Sequence, residues 1–199
     1  VQNTGKEQDG HQYVGNINWE IALKLNQKLG NITLNPRQFI DLRELLEAGI
    51  DKSKKVYDGK GKPINVTVLK QVYNEITEKR DPWRSEWLDA RFIMMGGSLG
   101  INYDHRLSGG NLTVGKSEVL EAYVGENSWI DVASFNRQGL PTKKSAAQKL
   151  YYWFPVDDGS VARFFAISVR VILDCNRNPS NTYGGLGVRA CRAKNGGAL

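Results

Sequence analysis

The 199-residue sequence predicts an α+β domain in which helices come first and a twisted antiparallel sheet comes after them, with many loops between. Three observations carry that expectation. Apolar residues recur at helical spacing through residues 16–80, the spacing shortens toward two from residue 81 onward, and 21 glycines punctuate the chain. At 40% hydrophobic and 24% charged residues the composition is that of a globular protein. A chain of this size can bury a sizeable core, either as one large domain or as one domain with a helical preface.

Residues 1–15 are polar and read as an arm or an extended lead-in. Residues 16–80 form a helical part expected to pack on the sheet scaffold. Its first helix spans 17–29, where Ile21, Ala22, Leu25 and Leu29 recur at i, i+4 and i+8 before Gly30 stops it. In "LNPRQFIDLRELLEAG", Asn35 can cap, Pro36 fits the first helical position, Gln38 can close a capping box and Leu34 can staple to Phe39. That helix spans 36–48, turns Phe39, Leu42 and Leu46 inward, and ends at Gly49. The basic stretch "DKSKKVYDGKGKP" reads as a solvated loop, and Leu69, Val72, Tyr73 and Ile76 mark a third helix over 66–79 that Asp81-Pro82 ends.

The sheet is expected in residues 81–199. "DPWRSEWLDARFIMMGGSLGINYDHRL" predicts a hairpin that turns at Gly96-Gly97 into a strand around Ile101 and Tyr103. "SEVLEAYVGENSWIDVASF" suggests a short helix and then a surface loop, "RQGLPTKKSAAQK" a turn-rich basic connection, and "LYYWFPV" an aromatic strand. Last comes "ARFFAISVRVILDCNRNPSNTYGGLGVRACR": a strand pair, a break at "CNRNPSNTYGG", and a closing strand in "LGVRACR". No repeat of solenoid or propeller length emerges.

Several function classes find little support. The net charge is +6 and the pI about 9.3, yet Lys and Arg are scattered among acids, so nucleic acid is not an expected partner. No stretch is long and apolar enough for a membrane span, the start does not read as a signal peptide, and the compartment stays open. Cys175 and Cys191 match no zinc or redox spacing, and a single disulfide between them remains open. His11 and His105 have no metal-ligand neighbours and read as solvated loop residues, so neither a metal nor a cofactor is expected. There is no nucleophile elbow and no phosphate loop, and Glu118 and Glu121 fall where a solvated helix face is the default. An enzyme is not expected.

The C-terminal strand pair is the informative stretch. One alternating set reads Phe165, Ile167, Val169, then Ile172, Asp174, Asn176, with a slip at Arg170-Val171. The intervening set is Ala166, Ser168, Arg170, then Val171, Leu173, Cys175. A period of two sends the sets to opposite faces, and periodicity alone favours Phe165, Ile167 and Val169 as core. Composition shifts that balance. Lys, Gln, Glu, Met and Trp make up 40 of the 199 residues, yet none lies between Phe154 and Ala193. About eight would be expected there at the chain's average. Strand propensity explains the loss of Lys and Glu but not of Trp, Gln and Met.

"DGSVARF", "CNRNPSNT" and "GLGVRACR" resemble the C-terminal part of C-type-lectin-fold variable proteins made by diversity-generating retroelements, in particular the archaeal virus-type members. The resemblance covers Leu150 to Arg192 well, the "DPWRSEWLDARF" hairpin loosely, and the first 80 residues hardly at all. It implies a C-type lectin fold over 81–199 with a variable region at about 160–190. In that family template adenines are copied with errors, and Asn codons so targeted can yield Phe, Ile, Val, Asp, Asn, Tyr or Gly but never Lys, Gln, Glu, Met or Trp. The compositional gap is what such copying would leave. Carried over by pattern, the variable, ligand-binding positions are Phe165, Ile167, Val169, Ile172, Asp174, Asn176, Asn181, Tyr183 and Gly184. Arg163, Arg170, Arg177, Asn178, Pro179, Gly187 and Arg189 look like the fixed scaffold.

The resemblance further implies a receptor whose partner is a protein or cell-surface ligand; its location is open, with a virion or cell surface favoured over a cytoplasmic enzyme, and an oligomer remains open. Its exposed patch should include Phe165, Ile167, Val169 and Tyr183 on one contiguous surface. The alternative is an invariant lectin-like attachment or structural protein. Gly187-Val188-Arg189 is also a weak echo of the formylglycine-generating enzyme-like domains that share the scaffold, whose chemistry here would have to use Cys175 and Cys191. Calcium-dependent sugar binding lacks its acidic loop, because "CNRNPS" has no Glu beside it and "SWID" offers Asp131 alone.

Overall fold

A computed structural model describes residues 6–8, 11–13, 15–58, 60–80, 83–156 and 159–189. Strands β1 (Lys6–Gln8) and β2 (His11–Tyr13) pair antiparallel within the polar lead-in. Three helices come next: α1 (Trp19–Lys28), α2 (Pro36–Ile50) and α3 (Val66–Thr77). Each begins on an asparagine, Asn18, Asn35 or Asn65, whose side chain accepts from an otherwise unpaired N–H of the first turn. At α2 the capping box is complete, since Gln38 also accepts from the Asn35 N–H at 3.0 Å.

Two details of the helices differ from expectation. In α1 the inward stripe is Trp19, Ala22, Leu23 and Asn26, whereas Ile21 and Leu29 are 40% and 62% exposed. The large Trp19 ring sets the rotation of the helix, and Asn26 is buried with its amide donating to Thr33 Oγ1 at 2.9 Å. In α2, Gly49 does not stop the helix. A Cβ there would lie 2.6 Å from both Leu69 Cδ1 and Val56 Cγ2, so this glycine permits close approach of α3 and the loop between them.

The main sheet contains β3 (Ser85–Met95), β4 (Ser98–Tyr103), β7 (Lys116–Val119), β8 (Ser128–Ile130), β9 (Leu150–Trp153), β10 (Val161–Ile167), β11 (Arg170–Arg177) and β12 (Leu186–Gly187). Its order is β7-β4-β3-β10-β11-β9-β8, with β12 pairing beside the start of β3. The pairings are antiparallel except β11 with β9 and β12 with β3. A small hairpin, β5 (Arg106–Ser108) with β6 (Asn111–Thr113), stands apart. The molecule is therefore an α+β protein. The β3–β4 turn uses Gly96 and Gly97 at φ 58° and 86°, conformations that favour glycine.

The segment expected to hold a short helix is instead β7, a connection and β8. Backbone pairing with the edge strand β4 decides this, and it continues past β7 where the Leu120 N–H donates to the Leu99 carbonyl at 2.9 Å. Glu118 therefore lies on a strand, accepting from Tyr103 Oη at 2.8 Å, and Glu121 accepts from the Arg137 guanidinium rather than facing free solvent.

The sheet is buried on both faces. The inner face packs Leu88, Ala90, Phe92, Ile101, Leu150, Tyr152, Ala162, Phe164, Leu173 and Cys175 against Phe39 and Leu46 of α2 and Leu69 and Ile76 of α3. On the outer face a smaller cluster joins Trp87, Val161 and Leu186 to Ile17, Trp19, Ala22 and Leu23. The helical part and the sheet thus share one principal core. Among the described residues no helix is long and apolar enough to cross a membrane.

Candidate binding face

The register of β10 on β11 fixes which side chains share a face. Arg163 lies opposite Asp174, Phe164 opposite Leu173, and Phe165 opposite Ile172. Directly paired residues point the same way, so Arg163, Phe165, Ile167, Arg170, Ile172 and Asp174 lie on the outer face, and Phe164, Ala166, Val171 and Leu173 point to the other side. The strand β9 extends this arrangement, because Tyr151 pairs with Ile172 and Trp153 with Asp174, and β8 adds Trp129 opposite Tyr151. The outer face beyond α1 is thus aromatic, with Trp129, Tyr151 and Trp153 all half-buried.

The chain after β11 returns over this face. Trp83 stacks on Tyr183 with ring centroids 5.7 Å apart and meets the Phe165 ring edge-on at 5.4 Å, while its indole N–H donates to the Ala166 carbonyl at 3.2 Å. Beneath that stack runs a buried polar network. Arg163 Nε donates to Asp174 Oδ2 at 2.8 Å, and Tyr183 Oη accepts from Arg163 Nη1 at 2.6 Å and from Arg177 Nη2 at 3.0 Å. The Arg163 guanidinium also lies over the Phe165 ring at 4.4 Å, and Arg170 lies over Tyr151 at 4.7 Å. Asp174 is completely buried, its second oxygen accepting from the Asn176 N–H.

The nine positions singled out in the sequence therefore divide. Phe165, Ile172 and Asp174 are buried at 7%, 2% and 0% exposure, which corrects the expectation that they face solvent. The cause is physical: the Trp83–Tyr183 stack and the arginine layer cover the middle of the hairpin. Val169 at the turn is 77% exposed, Asn176 and Gly184 are exposed, and Ile167, Asn181 and Tyr183 are half-buried. At Gly184 an added Cβ would meet nothing within 4 Å, whereas at Gly185 it would lie 2.2 Å from Trp83 Cε3. One of two adjacent glycines is thus open to any side chain, and the other is fixed by a ring.

The residues read as scaffold make structural contacts. Arg163 holds Asp174, Pro179 accepts from the Trp19 N–H at 3.2 Å, and Arg189 forms a bidentate pair with Glu86 at 2.6 to 3.1 Å. Cys175 is a free thiol whose burial pushes its pKa well up, which makes it a poor nucleophile. Cys191, the end of "LGVRACR", the side chain of His11 and the Asp81-Pro82 helix stop lie outside the described residues. Among the described residues no three His, Cys, Asp or Glu side chains converge as metal ligands.

Three features were not legible beforehand. Trp129, Tyr151 and Trp153 reach the outer face through strand register and Trp83 through the segment that leads into β3, neither of which sequence spacing supplies. His105, expected in solvent, is 7% exposed and bonded to the buried carboxylate of Asp89. Trp19 reaches that site too, with its ring edge-on to the imidazole at 5.1 Å. No family model, no curated protein and no solved structure matches this chain.

Proposed function

We propose that the protein is a ligand-binding receptor of the C-type-lectin-fold variable type, acting at a virion or cell surface on a protein or cell-surface ligand and diversified by a retroelement. The observation that carries this reading is the register of the C-terminal hairpin. It sets the alternating residues Phe165, Ile167, Ile172 and Asp174 on the face away from Phe164 and Leu173 of the principal core.

On this reading the face has two tiers. Ile167, Val169, Asn176, Asn181 and Gly184 form the rim that meets ligand, flanked by Tyr151, Trp153 and Trp129. Phe165, Ile172, Asp174 and Tyr183 form the tier beneath and set the rim's shape. Aromatic and aliphatic anchors held on paired strands lose little entropy on binding, which favours compact interfaces. The burial of Phe165, Ile172 and Asp174 favours the second reading, an invariant attachment or structural protein that keeps the fold without a diversified surface.

Sequencing the coding region for residues 160–192 across a natural population, together with the adjacent DNA, separates the two. The receptor reading expects substitutions concentrated at the rim codons and a nearby near-copy with adenines at those positions. An invariant tail without such a copy would leave the second reading.

A further inference from the structure

The sheet's other flank, on β3 and β4, carries a cleft of about 370 Å3 that the receptor reading does not use. Trp19, Arg91, Asn102, His105, Asn111 and Leu112 are among its walls. At its base the Asp89 carboxylate, 4% exposed, accepts from the His105 backbone N–H at 2.9 Å and meets His105 Nδ1 at 2.5 Å. The backbone bond anchors the chain entering β5, and the Gln27 amide strengthens it by bridging the His105 carbonyl and the Leu107 N–H. Anchoring alone does not use the imidazole's other nitrogen. With Asp89 accepting from Nδ1–H, the neutral form of the imidazole presents Nε2 as an acceptor, and Nε2 has no hydrogen-bond partner among the described residues.

Donors line the same cleft. Arg91 is exposed and has no ion-pair partner among the described residues. Asn102 Oδ1 is occupied by the Ser117 hydroxyl at 2.6 Å, which leaves its amide N–H groups to give. Glu20, the one carboxylate on the cleft wall, is held by Lys24 Nζ at 2.7 Å. Leu112, Ile93 and Val114 supply apolar wall. A volume near the lower end of ligand pockets suits a compact molecule.

We propose that this cleft is a second ligand site, for a small hydroxylated carboxylate such as a sugar acid. A ligand hydroxyl donates to His105 Nε2, the ligand carboxylate accepts from the Arg91 guanidinium, and the Asn102 amide donates to a second ligand oxygen. A neutral sugar lacks the group that Arg91 binds. A simple carboxylate such as acetate lacks the hydroxyl that Nε2 accepts.

The test is a titration of the whole protein with D-glucuronate, read from the histidine ring resonances by heteronuclear NMR. The chain has 2 histidines, so two ring signals are assigned by a His11→Gln variant. The site predicts a saturable shift of the His105 signal with the His11 signal unmoved. It predicts affinity at least about tenfold weaker in Arg91→Gln, the loss expected when a charged hydrogen bond is removed. Glucose and acetate should each bind as weakly as that variant binds glucuronate. Arg91 is exposed, so its variant should fold, and Asn102→Ala gives a second reduction of the same sign. No saturable His105 shift, an Arg91→Gln variant that binds unchanged, or glucose binding as well as glucuronate would each overturn the proposal. None of these outcomes touches the receptor reading, whose face lies on β8 to β11.

Discussion

The β10–β11 hairpin has two faces that are buried by different physics. The inner face is apolar and packed by helices: Phe164 meets Phe39 with ring centroids 4.6 Å apart, and Leu173 and Cys175 are completely buried. The outer face is buried at its middle by an ion pair, arginine–aromatic stacking and the returning loop that carries Tyr183, and it opens to solvent at Val169 and Asn176. Burial alone therefore does not separate scaffold from surface in this protein. What separates them is whether a side chain's neighbours are a rigid apolar core or a layer whose upper edge is open.

The largest expected break in the comparison is on the inner face. Phe164→Ala should cost about 4 kcal/mol, the usual cost of truncating a fully buried ring, measured by urea unfolding. Next comes Asp174→Ala at about 3 kcal/mol, because Arg163, only 4% exposed, would be left as an uncompensated buried charge. Replacing both partners, Arg163→Met with Asp174→Leu, should recover much of that loss. A double variant no better than Asp174→Ala alone would show that the outer layer depends on more than charge balance.

Tyr183→Phe sharpens the comparison at a smaller scale. It keeps the stack on Trp83 but removes the oxygen that accepts from Arg163 and Arg177, so a loss of about 1 to 2 kcal/mol is expected. At the rim, Ile167→Ser and Val169→Ser should each change stability by no more than about 0.5 kcal/mol. A rim cost as large as that of Phe164→Ala would erase the distinction between the two faces.

The helices were legible because their signals are local. Asn35, Pro36 and Gln38 form a capping box within four consecutive positions, and the three amphipathic stripes place helix boundaries to within a few residues. The alternation of Phe165 and Ile167 with Ile172 and Asp174 was legible for the same reason, since a period of two assigns faces without knowledge of partners. Arg170, read with the opposite set, instead lies on the outer face opposite Ile167, because the chain turns at Ser168-Val169. Exposure was not legible. Whether Phe165 sees solvent depends on Trp83, 82 positions earlier, and on Tyr183 folding back over it. The burial of His105 was hidden likewise, because Asp89 sits on a strand it meets only through the β3–β4 hairpin and the turn after it. The segment 117–130 went to strands because edge pairing, a non-local interaction, outweighed a weak helical pattern.

The central claim is that this fold tolerates change on the rim of the outer face while the inner face and the supporting tier are fixed. A saturation scan of residues 160–189, scored for folded protein by protease resistance on a display platform, tests it directly. Ile167, Val169, Asn176, Asn181 and Gly184 are predicted to accept nearly every residue. Phe164, Leu173, Asp174 and Gly185 are predicted to accept almost none. Uniform intolerance across both sets, or a Gly184 as restricted as Gly185, would contradict the account.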